Sequence, residues 1–416
     1  MSKAVLAHSQ KGREDFMEFR FSNKVCNMRP SIIRELLKQM SDPQLISFAG
    51  GNPAADSFPL EDIRRFSQEL LQEDPVGVLQ YSVTEGYGPL RQAARDYANR
   101  QWPVVSEQDE ILITSGSQQI IEFMTKLLCN EGDVIAVEEP AFLGAYNSMR
   151  SFGATLAPVP LTPDGVDLEA LEQVFRTQQP KFFYCIPNFQ NPTGWTTSLE
   201  KRKAIYELAV KYQVPVLEDD PYGALRISGQ ALPPIKHFDT QGAVVYAASF
   251  SKVLCPGMRL AFCAAAPQLL DKMVVAKQGS DVHTNLWAQR VCHKILTEID
   301  LDAHFERLQS IYRDKAQFMM ECLDQKLAGR IRYQKPEGGM FLWATLPEGM
   351  DGQDFAARCL AHKLAVVPGS AFYTQDGPCN SVRLNFSTPS LEQIRQGVDI
   401  MDQVLAEMGC AAPVSH

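Results

Sequence analysis

Between residues 110 and 265, short apolar runs alternate with amphipathic stretches at a spacing that few architectures tolerate. "EILIT" at 110 is followed by a helix from Ser117, then by "DVIAVEE" and a helix after Pro140. "ATLAPVP", a helix near 167–177, "KFFYCIP" and a helix from Ser198 come next, and "VPVLED", "VVYAAS" and "LAFCAAA" close the series. Strands separated by helix-length segments pair through crossovers. The spacing therefore predicts an α/β fold, a mostly parallel sheet with helices on both faces. After about residue 300 the texture changes. "LDAHFERLQSIYRDKAQFMMECLDQKLAG" reads as one long helix ending at Gly329, and "GGMFLWATL", "AVVPGS" and "VRLNFS" as short strands among helices. That pattern belongs to a smaller α+β domain. The expected organisation is an N-terminal arm and helix over 1–50 packing on the small domain, a large domain over 51–305 and a small C-terminal domain over 306–416.

Composition narrows the classes of partner. The chain has 416 residues, 45% of them hydrophobic, which is ample for a large core. Its net charge of −9 and the lack of a basic run argue against nucleic acid. The start, "MSKAVLAHSQKGRED", reads as neither a signal peptide nor a membrane anchor, and no apolar stretch reaches spanning length. Ten cysteines occur without a CxxC pair or a Cys/His cluster, so neither a metal site nor a disulfide frame is expected. Free thiols in a reducing cytoplasm are the simplest account.

In parallel α/β sheets, ligands sit beyond the carboxyl ends of the strands. The loops at those ends carry an informative set of residues. "TSGSQQ" offers Ser117 and Gln118 at a helix start, suited to an anion or simply to a cap. "NFQNPTG" supplies Asn191, "LEDDPYG" supplies Asp219 and Tyr222, and "SFSKVLCPGMR" supplies Ser249, Ser251, Lys252 and Arg259. "NSVRLNFS" places Arg383 in a strand of the second domain. Each piece alone has an ordinary reading: a cap, a turn, a solvated carboxylate pair, a loop lysine.

Together, and in this order, these stretches resemble the fold type I pyridoxal-phosphate aminotransferases of class I/II, and most closely the kynurenine/2-aminoadipate (lysine-pathway) branch. The resemblance runs from "FAGGNP" at 48 through "LQYSVTEGYGPLR", "PKFFYCIPNFQNPTG", "EDDPYG", "SFSK", "GGMFLW" and "VVPGSAFY" to "VRLNFS". It implies an enzyme that moves an amino group between an L-amino acid and a 2-oxo acid such as 2-oxoglutarate, by a ping-pong Schiff-base mechanism on pyridoxal 5'-phosphate (PLP). Lys252 is then the residue that carries the cofactor and later moves the substrate Cα proton. Asp219 keeps the ring nitrogen protonated, and Asn191 and Tyr222 hold the phenolic oxygen. Ser117, Gln118, Ser249, Ser251 and Arg259 hold the phosphate, with Tyr81 contributed from the partner subunit of a homodimer. Arg383 binds the substrate carboxylate, Gly51 lies where substrate meets backbone, and Arg34, in "MRPSIIRELLK", lies where a side-chain-binding arginine can occur. Phe142, in "EEPAFLGAY", replaces a tyrosine that stacks on the ring, keeping the ring and losing the hydroxyl. Glu139-Pro140 and Asn191-Pro192 are expected to be cis.

Two other readings use the same residues. A lyase or decarboxylase on this scaffold would differ only in which Cα bond stands perpendicular to the ring, and a carboxylate grip by Arg383 favours transamination. The sensor half of a transcription regulator would need a DNA-binding module upstream, and the residues before "FAGGNP" contain no basic recognition helix.

Overall fold

The computed structural model describes residues 17, 19–26, 28, 42 and 44–410. Arg34 and the helix expected around it lie outside the described residues. Eight strands form the principal sheet: β1 (Glu110–Thr114), β2 (Val134–Glu139), β3 (Thr155–Thr162), β4 (Gly165–Val166), β5 (Phe183–Cys185), β6 (Val216–Asp220), β7 (Val244–Ser249) and β8 (Ala261–Ala265). Their order across the sheet is β1-β8-β7-β6-β5-β2-β3-β4.

The five central strands pair in parallel, in the order β7-β6-β5-β2-β3. Helix-bearing crossovers connect β2 to β3, β3 to β5 and β5 to β6, carrying α4 (Leu143–Ser151), α5 (Leu168–Gln178) and α6 (Leu199–Tyr212). They follow α1 (Leu60–Glu73), α2 (Gly88–Ala98) and α3 (Ser117–Leu128). From β7 to β8 the chain crosses only residues 250–260, too few for a helical crossover, so β8 returns antiparallel. That short connection contains Lys252. β1 is antiparallel to β8 and so points the same way as β7. The carboxyl ends of β1, β7, β6, β5 and β2 therefore open on one edge.

The alternating side chains of these strands feed two cores. Val216 and Val244 join Phe175 of α5 and Ile205 of α6 on one face. Leu217 and Val245, one residue further along each strand, join Ile120 and Met124 of α3 on the other. This is the period-two burial of a sheet covered on both sides.

A second, antiparallel sheet holds β9 (Arg332–Tyr333), β10 (Phe341–Thr345), β11 (Val367–Pro368) and β12 (Ser381–Asn385), ordered β9-β10-β12-β11. α7 (Pro267–Gln278), α8 (Leu286–Glu298) and α9 (Leu301–Leu327) lead into it, and α10 (Gly352–Ala361) and α11 (Leu391–Glu407) cover it, with α11 packed on α9. Asp300 caps α9 by accepting from the Ala303 amide, worth about 1 kcal/mol. Position 305, where the domain boundary was expected, falls inside α9, the last of the three helices between the two sheets.

Candidate active site

Three connections at the open edge and one strand of the second sheet converge on Lys252. Its Nζ donates to the Gly51 carbonyl at 2.7 Å. The amine is partly buried, and burial, with Arg259 and Arg383 nearby, lowers it to about 8 from the ordinary lysine value. Near neutrality a sizeable minority of such an amine is uncharged and nucleophilic.

The two adjacent carboxylates face different surroundings. Asp219 is 3% exposed; its Oδ2 accepts from the Tyr184 phenol at 2.9 Å, and its Oδ1 is buried with no partner. Burial raises it to about 7, the Tyr184 hydrogen bond opposes that, and the Asp220 charge adds to it. Asp220 is fully engaged: Oδ1 accepts from Asn188 Nδ2 at 3.0 Å and the Gly223 amide at 2.9 Å, and Oδ2 from the Tyr246 phenol at 3.0 Å. One carboxylate is an unfilled acceptor and the other is a structural clasp.

Arg383 reaches the site from β12. Its Nη1 donates to Asn191 Oδ1 at 2.8 Å and its Nη2 to the Ala49 carbonyl at 2.6 Å, while Nε is buried and unpartnered. The guanidinium lies 4.2 Å from the Phe341 ring centroid and 5.0 Å from that of Phe372. Burial pulls it down to about 10. Asn191 also hydrogen-bonds the buried Tyr222 phenol, and Tyr222 meets Phe341 edge-on. Both Glu139-Pro140 and Asn191-Pro192 are cis, as the sequence led us to expect.

A third group surrounds the start of α3. Unlike α5, α6, α8 and α9, this helix has no side-chain cap. Its N-cap is Gly116, at φ +90°, where a Cβ would strike the Arg259 guanidinium. Ser117 is the first helical residue and not a cap; the Gln119 amide donates to the Gly116 carbonyl at 3.2 Å, which leaves the Ser117 and Gln118 amides available to an anion. Arg259 donates to the Ser115 carbonyl at 3.3 Å and Ser251 Oγ at 3.4 Å, and Ser249 Oγ accepts from the Ser251 amide at 3.1 Å. Gln118 Nε2 donates to the Gly144 carbonyl at 2.9 Å. Phe142 precedes α4 and packs over Gly144.

Of the expected site residues, Lys252, Gly51, Asn191, Tyr222 and Arg383 are joined by direct contacts or through Phe341 and the 49–51 backbone. Tyr81 stands apart: it is 82% exposed and touches only the His283 ring, 5.7 Å away, among its ring contacts. Sequence reasoning missed Tyr184, Phe341 and Phe372. The signal for Tyr184 was a lone phenol inside the apolar run "KFFYCIP", because a buried tyrosine hydroxyl needs a partner. Among the described residues no cluster of metal-ligating side chains occurs, and no helix is long and apolar enough to cross a membrane.

The family model for aminotransferase class I and II matches residues 43–401. The chain is 38% identical to a 2-aminoadipate transaminase of Thermus thermophilus, over 92% of this chain and 96% of that one. It is 36% identical to aromatic-amino-acid aminotransferase 1 of Thermococcus litoralis, over 93% and 94%. Among solved structures, the α-aminoadipate aminotransferase LysN from Thermus thermophilus, complexed with N-(5'-phosphopyridoxyl)-L-leucine, superposes with a TM-score of 0.86. That match has 37% identity and covers 93% of this chain and 97% of that one.

Proposed function

The chain belongs to the class I and II aminotransferases and is a PLP-dependent transaminase of fold type I, and from that premise we propose how its own residues divide the work. The observation that carries the reading is the orphaned Asp219 Oδ1, a buried acceptor with no partner in the chain. A protonated ring nitrogen is the donor that fits it, and the uncapped start of α3 with Arg259 fits a phosphate. Asp219 would hold the cofactor ring, Asn191 and Tyr222 its phenolic oxygen, and Phe142 its face. Ser117, Gln118, Ser249, Ser251 and Arg259 would hold its phosphate, and Lys252 its carbonyl carbon. When bound, PLP supplies an electron-withdrawing ring that stabilises negative charge at the substrate Cα.

Arg383 binds the substrate α-carboxylate. Its two terminal nitrogens lie in one plane beneath Phe341, and a bidentate carboxylate would take them from Asn191 and the Ala49 carbonyl or share them. Gly51 would leave the space beside the Phe341 ring to substrate, since a Cβ there would already be in contact with that ring at 3.4 Å. Lys252 Nζ, released from its resting contact with the Gly51 carbonyl, takes the proton from the substrate Cα.

We propose a donor of the aromatic, kynurenine or 2-aminoadipate type and 2-oxoglutarate as acceptor. The names of the relatives support this for those proteins. Spectroscopic half-reactions against a panel of amino acids test it, and a donor outside these types that reacts fastest would refute it. All ten cysteines are free, which supports a reducing, cytoplasmic setting.

We further propose a homodimer with shared sites, in which Tyr81 donates to the phosphate bound by its neighbour. Tyr81, Leu79, Val76 and Val83 are 82%, 72%, 73% and 58% exposed within one segment, an apolar surface that a second copy would cover. Mixing Lys252→Ala with Tyr81→Ala chains tests it. If Tyr81 acts across the interface, one site of each hybrid carries both defects and the other none, so that site turns over at the parent rate. Hybrid activity no better than half that of the Tyr81→Ala homodimer refutes sharing.

A further inference from the structure

Behind the turn that opens α3 lies an ion pair, its lysine buried and its aspartate partly exposed, with no part in the proposed reaction. Lys277, near the end of α7, has a fully buried side chain. Its Nζ donates to Gln119 Oε1 at 3.0 Å, to Thr284 Oγ1 at 2.9 Å and to Asp281 at 2.7 Å, matching its three protons to three partners. The pair then reaches forward through both ends of one residue. Asp281 Oδ2 accepts from Ser115 Oγ at 2.6 Å, and Gln119 Oε1 accepts from the Ser115 amide at 3.0 Å. The third polar group of Ser115, its carbonyl, accepts from Arg259 at 3.3 Å. Ser115 immediately precedes Gly116, whose positive φ turns the chain into α3.

An ion pair with a buried lysine is a poor device for stability alone, since packed apolar side chains often serve as well. What it adds is direction. Lys277 holds Asp281 and Gln119, and these hold Ser115, which precedes the α3 turn and carries the carbonyl that Arg259 donates to. We propose that Lys277 and Asp281 are positioning residues for the phosphate cup, acting through Ser115 and Gln119 on the Gly116 turn and Arg259. This rests on the reading that the cup takes the cofactor phosphate.

The test compares PLP with pyridoxal, which lacks the phosphate and keeps the carbonyl that Lys252 attacks. Equilibrium binding of both is measured on the full-length chain freed of cofactor. In the parent chain PLP binds more tightly, and the ratio of the two dissociation constants reports the cup. Lys277→Met should reduce that ratio by about 10-fold to 100-fold, the range for removing groups that orient first-contact ligands. Pyridoxal affinity should stay within about twofold, since the variant leaves Lys252 and its surroundings untouched. Ser115→Ala leaves the ion pair in place and cuts only the hydroxyl link, so it should reduce the ratio about fivefold, the scale of one hydrogen bond. If Lys277→Met does not fold, Ser115→Ala decides. A ratio unchanged by these substitutions, or equal weakening of both ligands, overturns the inference while leaving the phosphate reading intact. A parent chain that prefers PLP no more than pyridoxal overturns the phosphate reading itself.

Discussion

Asp219 and Asp220 differ by one position in β6, and replacing each with asparagine should give opposite phenotypes. In Asp219→Asn the side-chain oxygen still accepts from Tyr184, while the amide takes the place of Oδ1, which has no partner in the chain alone. The fold loses no hydrogen bond. It also sheds a carboxyl that burial has pushed up to about 7, a group whose ionisation opposes folding. A raised folded-state value means that this penalty is absent below the unfolded carboxyl range and develops as pH rises towards 7. At pH 8 the cofactor-free Asp219→Asn chain should therefore be at least as stable as its parent. The loss appears in chemistry instead: the charge facing the ring nitrogen is gone, a dedicated electrostatic contact worth about 100-fold to 1,000-fold in rate. Asp220→Asn behaves the other way. Three donors converge on its two oxygens, and an asparagine amide cannot accept from the group it faces. Leaving one buried donor unpaired costs about 1–3 kcal/mol of stability, with turnover of the folded protein within about tenfold of the parent. Denaturant unfolding of the cofactor-free chains and single-turnover half-reactions of the loaded ones separate the two effects. Equal rate losses at the two positions, or a destabilised Asp219→Asn, would show the wrong carboxylate has been assigned to the ring.

Borohydride reduction of the loaded enzyme should fix the cofactor to Lys252, read by peptide mapping, and Lys252→Ala should lose turnover by several orders of magnitude while retaining PLP through the phosphate contacts. Because burial and the two arginines lower Lys252 to about 8, the rate at which the cofactor-free chain captures PLP should rise about tenfold per pH unit below 8 and level off above it; a rise continuing to pH 10 contradicts this. Tyr184→Phe removes the hydrogen bond that favours ionised Asp219, so the acid limb of the pH–rate profile should move to higher pH, and a limb that stays put refutes the tuning role. Arg383→Lys should raise KM for both amino and oxo acid by about 10-fold to 100-fold, the cost of one charge-assisted bond, with a smaller change in kcat.

The parallel sheet was legible because its strands are buried on both faces and written as apolar runs, with amphipathic helix-length segments between them. The antiparallel return of β8 was equally implicit in the eleven residues that separate it from β7, and it is what brings Lys252 to the open edge. Residues at strand ends could be placed by position alone, which is why Asn191, Asp219, Lys252 and the α3 turn were found together. Contacts that cross from one sheet to the other left no such trace. Arg383 could be named from its motif, but its stacking between Phe341 and Phe372 depends on β10 and the turn after β11 arriving on either side, and both phenylalanines read as ordinary core. The same limit hid Lys277, one more lysine near the end of an amphipathic helix until the burial of its side chain is known.

The asymmetry between neighbouring carboxylates explains why the chain needs both. Strand alternation sends consecutive side chains to opposite faces, so Asp219 and Asp220 cannot share a partner. A carboxylate left with an empty oxygen at a buried strand end must be held against rotation, or it will turn towards the nearest donor. Tyr184, across the β5–β6 pairing, holds one oxygen of Asp219. On the opposite face, Asp220 binds the Gly223 amide, Asn188 and Tyr246, tying the strand end to the loop after β5 and to β7. The backbone carrying Asp219 is thereby fixed from behind. In the proposed site, preorganisation of this kind would let the charge meet the ring nitrogen without reorganising. It also predicts the order of sensitivity: disturbing the clasp lowers stability first and rate second, whereas disturbing Asp219 or Tyr184 alters the pH dependence of the chemistry while the fold stands.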